Sequence, residues 1–445
     1  MQKSRTPGER RLGKPPLRAP LRRPAFRRLA FSYAVNELGD WMGIIALSVL
    51  VFDETGSAYA TAGLFLGTRF LPALLAPLLV VRAERPPPRY ALPVIYCGEA
   101  AAFGGLALLA ANFSLAGVIA VATLDGALAL TGRALTRSVV GALLTPAGEL
   151  RAGNAILNVA FTGGAALGPA VAGLAVAGLG VQAALLLDAA SFYAIAWILL
   201  LAGPLPRVEP EPGRFRQRLR AGLTYIRGQI ALRRLLVIQA AAFIFFAAVI
   251  PIEVIYAKET LDAGDSGYGA LLASWGIGMV VGSVAFAALR QTSLLVLLVA
   301  STVVVGAGYL GLAAAPTLAV ACTAGGLGGA GNGVQWVAVI SAVQELTVAR
   351  MQARVLSVLE SIGAAMPGVG YVVGALVASG HDPRATFVVA GAGVIVVALI
   401  AIVMLGRRLP EQAAAEEEMG ADPGNEIVVE LRPRQVFRMA RPNSG

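Results

Sequence analysis

Twelve apolar stretches, each long enough to cross a lipid bilayer, recur along this 445-residue chain, at roughly 30–52, 58–81, 90–111, 114–137, 154–178, 181–203, 235–257, 266–289, 294–314, 317–340, 356–379 and 385–406. A bilayer core takes about 20 mostly apolar residues per helix. The runs are too long and too continuously apolar for the alternating strands of about 10 residues that build a membrane barrel. Other spanning backbones leave N–H and C=O groups unpaired in lipid. The fold class is therefore all-α, with twelve membrane helices. Only 14% of residues are charged, against about 25% in a soluble domain.

The basic residues alternate with the spans. The starting segment, the even-numbered gaps and the tail hold all but three of the 36 Lys and Arg, with Arg133, Arg137 and Arg151 assigned to the fourth gap. The exceptions are Lys258 and Arg384 in odd-numbered gaps and Arg69 inside the second span. Cytoplasmic loops collect Lys and Arg. The pattern predicts an even number of crossings with both termini cytoplasmic, and accounts for most of the +10 net charge. The basic start (Arg10 to Arg28) then reads as an orientation signal touching anionic lipid, not as a nucleic-acid surface. It is also unlike a cleavable signal peptide, because the apolar run after it is too long. Cys97 and Cys322 both fall in spans, which predicts neither a disulfide framework nor a metal site, and no cofactor is expected. The single histidine, His381, is expected at the surface of a short outer loop.

The longest internal gap is rich in Pro and Arg and divides the spans six and six. The predicted units are a basic segment 1–29, a first bundle 30–203, a cytoplasmic linker 204–234, a second bundle 235–406 and a disordered tail 407–445, with a short surface helix near Gln217–Gln229 in the linker. Near-equal halves suggest an internal duplication, a common build of secondary transporters. The fifth span of each half adds to this. One carries Gly164-Ala-Ala-Leu-Gly168-Pro169 followed by Gly173, and the other Pro367-Gly368-Val-Gly370-Tyr-Val-Val-Gly374. Glycines four apart share a helix face and permit close helix contact. Tight packing alone and a hinge that rocks in transport are both open readings.

Several stretches resemble a known family. They are Ala152-Gly153-Asn154-Ala155, Leu187-Asp188-Ala-Ala-Ser191-Phe192, Gly267-Tyr268-Gly269, and Gln344-Glu345 with Arg354-Val355-Leu356-Ser357. Over about 26–406 the chain is similar to twelve-helix major facilitator superfamily transporters, and most similar to the bacterial branch of siderophore exporters and macrolide efflux proteins. The resemblance implies a bacterial plasma-membrane exporter of a small, partly apolar molecule, working as a monomer by alternating access. Gly164, Gly168, Pro169 and Gly173 match the superfamily's antiporter motif, while Ala155 and Ala172 replace two of its glycines. The loop between spans two and three carries Glu84, Arg85 and Arg89 in place of the family's cytoplasmic gate charges, with its glycine missing and three prolines added.

Six acids and one arginine lie inside apolar runs: Glu37, Asp40, Glu99, Asp125, Asp188, Glu253 and Arg69. A charge at the bilayer centre costs about 2.5–3.5 kcal/mol on insertion scales, so these residues should face a watery cavity or one another. Counting depth from the first outer turn puts Asp40 and Arg69 at one level, predicting an ion pair, with Glu37 one turn from Asp40. Glu37, Asp40, Arg69, Glu99 and Asp125 are the candidates for proton coupling, against the alternative of purely structural pairing. Glu253 is placed near the outer end of span seven, leaving the second half without a mid-depth charge. Its expected substrate contacts are Trp275, Asn332, Gln335 and Trp336. A proton-coupled exporter is the leading reading, with an importer of the same fold second. A membrane sensor would need a soluble domain larger than any gap provides. An embedded enzyme would need a nucleophile with a base, and an ATP-driven pump a phosphate-binding loop.

Overall fold

The computed structural model describes residues 18–83, 85–201, 205–206, 215–289 and 292–405. Among them the chain is helical throughout. The first half contains α1 (Pro24–Thr55), α2, α3 (Pro88–Ala111), α4 (Leu115–Leu144), α5 (Leu150–Leu179) and α6 (Val181–Leu200). The helix α2 is composite: Ala58–Phe65, a π-helical turn Leu66–Phe70, then Leu71–Ala83. A linker helix α7 (Phe215–Gly228) follows. The second half contains α8 (Ile230–Ala248), α9 (Gly264–Ala288), α10 (Leu294–Ala314), α11 (Leu318–Glu345), α12 (Ala349–Ala378) and α13 (Pro383–Leu405). After α8 the chain makes a 3₁₀ turn at Ile250–Ile252, one α turn at Glu253–Ile255 and a π turn at Tyr256–Thr260.

Among the described residues eleven helices are long and apolar enough to cross a membrane. The remaining one, α11, has the length, but its glycines with Asn332 and Gln335 dilute its hydropathy. Local chemistry sets the ends. Ser57, Ser114, Ser293 and Thr317 accept hydrogen bonds from backbone N–H groups of α2, α4, α10 and α11, satisfying donors that a helix start leaves free. Gly56, at φ 56°, closes α1 in the left-handed conformation that glycine tolerates.

The two halves use one packing scheme. In the first, α1 packs on α5 and α6, α3 on α4 and α6, and α2 on α4. In the second, α8 packs on α12 and α13, α10 on α11 and α13, and α9 on α11. These are the same positional pairs, as an internal repeat requires. The halves join where each second helix meets the other half's fifth, α9 on α5 and α2 on α12.

Small residues make the first junction. A Cβ on Gly173 would lie 2.8 Å from the Gly269 Cα, and Gly276 lies directly against Ala165 and Ala166. At the second junction the Phe65 and Tyr371 rings are 5.5 Å apart, and Gly368 sits under Phe70. The predicted glycines all lie at contacts. Gly164 meets Glu37 and Gly168 meets Trp41, both of α1, while Gly370 and Gly374 meet Ala247 and Ala248 at the end of α8. Pro169 and Pro367 lie inside helices that continue past them.

One expectation is corrected. Arg133 and Arg137 are not loop residues of the fourth gap. The helix α4 runs on to Leu144, which leaves both arginines two to three turns inside it.

Residues 18–23, the linker helix and the α2–α3 and α4–α5 turns share one side of the molecule, called here the basic side. There Arg23 Nε donates to Glu149 at 2.8 Å, and the α7 residue Tyr225 accepts from the Val348 N–H at 3.4 Å. On the opposite side Lys258 Nζ bridges Asp53 of the first half, at 2.6 Å, and Asp265 of the second, at 2.8 Å. Tyr59 and Ser379 share a hydrogen bond of 2.9 Å beside it. The named contacts between the halves therefore run from mid-depth to the side opposite the basic one.

Candidate transport site

Beneath those contacts lies a cavity of about 520 Å³ between the halves, in the range that holds drug-sized ligands. A second space of about 320 Å³ shares Phe161, Phe246, Met279 and Asn332 with it. It extends along α8 and α11 toward the basic side, reaching Gln239, Gln335 and Trp336.

The helix α1 supplies one wall with Glu37, Asp40, Trp41 and Ile44. Their spacing of three and four places them on one face. The opposite face of α1 packs into the first bundle, where Gly39 lies against Asp188 and Phe192, and Gly43 against Phe103. Asp40 is paired with Arg133 of α4 at 3.2 Å, and the same guanidinium nitrogen lies 3.7 Å from Glu37. Asn36 also donates to Asp40 at 3.3 Å. One turn nearer the basic side, Arg137 donates to the Tyr33 hydroxyl at 3.2 Å. Because α1 and α4 run antiparallel, residues 33 and 37 on one meet 137 and 133 on the other. The pair of rungs ties the two helices together.

This replaces the predicted Asp40–Arg69 pair; no ion pair within 4 Å joins those residues among the described ones. Matched depth was sound, since both line the main cavity. Depth does not fix which way a side chain points around its helix, and α4 stands nearer to Asp40 than α2 does. Arg69 sits instead in the π turn of α2, an irregularity frequent at functional sites. A small adjoining cavity of about 70 Å³ is lined by Asp40, Thr68, Arg69, Phe103, Asp125 and Arg133. Its wall is mostly apolar, but these five polar side chains reach it, and it is roomy enough for a few waters.

The other buried acids divide. Asp125 faces that small cavity. Glu99 is fully buried within the first bundle, behind α1, with no hydrogen-bond partner for its carboxylate among the described residues. Asp188 is buried there too and accepts from Ser191 at 3.2 Å. Neither lines the main cavity.

The second half supplies the facing wall. Glu253 lines the main cavity with Tyr268, Trp275 and Tyr309, so this half does present a carboxylate. It lies near the far end of the span Ile230–Thr260, as the residue count expects, just after a 3₁₀ turn that holds Pro251. Of the expected substrate contacts, Trp275 lines the main cavity, Asn332 lines both spaces, and Gln335 and Trp336 line the second. Gln335 donates to Thr302 at 2.9 Å, and Trp336 packs 6.2 Å from Phe243. Aromatic rings dominate this wall. Trp275 stacks on Tyr309 at 5.1 Å and meets Phe246 edge-on at 5.8 Å.

Of the expected cytoplasmic gate residues, Glu84 lies outside the described ones. Arg85 is exposed, and Arg89 is exposed and stacks on the adjacent Tyr90 ring at 4.4 Å. His381 is exposed in the turn between α12 and α13. Among the described residues no group of His, Cys, Asp and Glu is arranged to hold a metal ion.

Two six-helix bundles with repeated packing around a central cavity define a multi-pass membrane protein with the major facilitator transporter fold. Its family is narrower: residues 16–436 match the family described as transmembrane secretion effector, and the chain belongs to it. No curated protein matches the chain in sequence. Among solved structures, the nucleoside transporter NupG is similar in fold at TM-score 0.69 and 12% identity, covering 86% of this chain and 100% of its own. A bacterial homologue of the human lysosomal transporter Spinster reaches 0.65 at 14% identity, with 88% and 96% covered. The human organic anion transporter MFSD10 (TETRAN) reaches 0.58 at 18% identity, with 84% and 99% covered.

Proposed function

We propose that the protein is a proton-coupled exporter of small, partly apolar organic molecules. It would sit in the bacterial plasma membrane as a monomer with both termini cytoplasmic, in the branch that resembles siderophore and macrolide exporters. The observation that carries this reading is Arg133 held between Glu37 and Asp40 at the wall of the central cavity. Two carboxylates facing one guanidinium leave one negative charge in excess in a low-dielectric setting. That excess is balanced by Arg69, which lines the same small cavity, or by a proton arriving through that space beside Asp125. A proton on Asp40 loosens the α1–α4 rung, and the junctions of small residues at α5–α9 give the halves a surface on which to rock. The enclosed outer side and the cavity's extension toward the basic side suit substrate loading from the cytoplasm. The family's secretion description agrees with export.

The test uses the full chain in liposomes with an imposed pH gradient and a panel of siderophores, macrolides and dyes. Gradient-driven substrate movement should occur in the wild type and be lost in Asp40→Asn, while the variant stays folded and inserted. Equal gradient dependence in both proteins overturns the coupling. Movement of substrate with the proton gradient, rather than against it, overturns export.

A further inference from the structure

The charges lining the main cavity do not balance. They are Glu37, Asp40, Arg69 and Arg133 on the first-half wall and Glu253 alone on the second. The first four are two acids and two bases, with both acids within 4 Å of Arg133. Glu253 has no hydrogen bond or ion pair among the described residues. The nearest cation in its own segment, Lys258, is occupied by Asp53 and Asp265. A carboxylate in a membrane interior without a cation of its own is costly, and natural chains retain such residues where something supplies the missing charge.

The surroundings of Glu253 narrow what that is. Tyr268, Trp275, Tyr309 and Phe246 line the same cavity, and the last three form a connected ring cluster with centroids 5.1–6.2 Å apart. Aromatic faces attract organic cations through the ring quadrupole, and Trp does so best. A small inorganic cation is a poorer match, since it prefers several oxygen ligands. The cavity's size fits a bulky molecule.

We infer that Glu253 and the Trp275–Tyr309–Phe246 cluster form a recognition site for lipophilic organic cations, amines or quaternary onium ions, which place their charge on Glu253 and their apolar body on the rings. This rests on the transport reading above, and names the substrate class of that same cavity. It also gives the two acids separate roles, Asp40 with the proton and Glu253 with the substrate.

Two probes of the same size and opposite charge test it: tetraphenylphosphonium and tetraphenylborate. Equilibrium binding is measured on the full chain in lipid nanodiscs, with empty nanodiscs subtracted. The wild type should bind the cation at least tenfold more tightly than the anion. Glu253→Gln should weaken the cation about tenfold or more and leave the anion unchanged or tighter. Glu253→Asp, which keeps the charge, should hold the preference within threefold. Trp275→Leu should weaken the cation several-fold without any gain for the anion. Equal binding of the two ions by the wild type overturns the inference, as does an unchanged ratio in Glu253→Gln. Gradient-driven transport of a neutral substrate is scored separately. Charge-selective binding without coupling sinks the proton reading and leaves the Glu253 site standing, whereas coupling with charge-indifferent binding sinks the Glu253 site alone.

Discussion

The two halves share a packing scheme and differ in what they bring to the cavity. The first half meets it with a charged lattice: Glu37, Asp40, Arg69 and Arg133 on three helices, with a water-sized space behind them. The second half meets it with stacked rings and a single carboxylate. Duplication fixes where helices touch, because the same small residues and ridges must mesh. It leaves the cavity-facing positions free to diverge, because nothing packs there. The scaffold is therefore symmetric while its chemistry is not, and the proposed exchange of a proton for an organic molecule would use that division.

The largest expected effect breaks the charged lattice. Arg133→Ala leaves two acids on α1 without their cation. Removing one partner of a buried pair costs about 3–5 kcal/mol, so this variant should lose transport and much of its thermal stability. The triple variant Arg133→Ala/Glu37→Gln/Asp40→Asn should regain most of the stability but no gradient-driven transport. Recovery of both would make the lattice purely structural and erase the contrast between the halves. Arg69→Ala sharpens the same point. Arg69 forms no rung between α1 and α4, so its loss should reduce coupled transport while moving the melting temperature less than Arg133→Ala does.

Next comes the junction that both halves share. Gly173→Leu places a branched side chain where the Gly269 backbone lies 2.8 Å from a Cβ. Transport should fall at least tenfold with expression retained. Gly163→Ala, one helix face away with open space at its Cβ, should transport normally. Loss in both variants would mean that the helix, rather than the contact, is at fault.

How much of this was legible in the sequence differs by kind of information. Span number, the six-plus-six division and the linker helix follow from apolar length and charge alternation, which act along the chain. The glycines at 164, 168, 173, 370 and 374 were legible as close contacts because only a missing side chain permits them. Glu37, Asp40, Arg69 and Asp125 were legible as cavity candidates through their cost in lipid. The partner of Asp40 was not. Arg133 looked like a loop residue because charge usually ends a span, whereas α4 continues past it to Leu144. The signal that would have found it is its spacing of four from Arg137, matching Tyr33 and Glu37 on an antiparallel neighbour. Glu253 was legible through the same cost in lipid, and it lines the cavity from near the end of its span. Glu99 and Asp188 read as cavity candidates by the same cost, yet they face inward behind α1, since a cost in lipid says that a charge is shielded but not by what.

The smallest expected effect concerns the closure opposite the basic side, the outer one on the proposed topology, where a charge bridge joins the halves beside the packed junctions. Lys258 holds Asp53 and Asp265 with side chains that are about 20%, 48% and 24% exposed. Pairs so open to solvent contribute about 0.2–1 kcal/mol each. A bridge to both halves exists only while the outer side is closed, so its loss should raise the outward-open population by a few-fold and no more. Lys258→Ala should therefore leave stability almost unchanged and speed labelling of a cysteine placed on the outer cavity wall by a similar factor. High salt should produce part of the same shift in the wild type, because exposed pairs are screened, and should produce little further shift in Lys258→Ala. If labelling does not change in either condition, the closure rests on the glycine junctions, the Phe65–Tyr371 contact and the Tyr59–Ser379 hydrogen bond. The charged character of the first half then stops at the cavity and does not reach the outer gate.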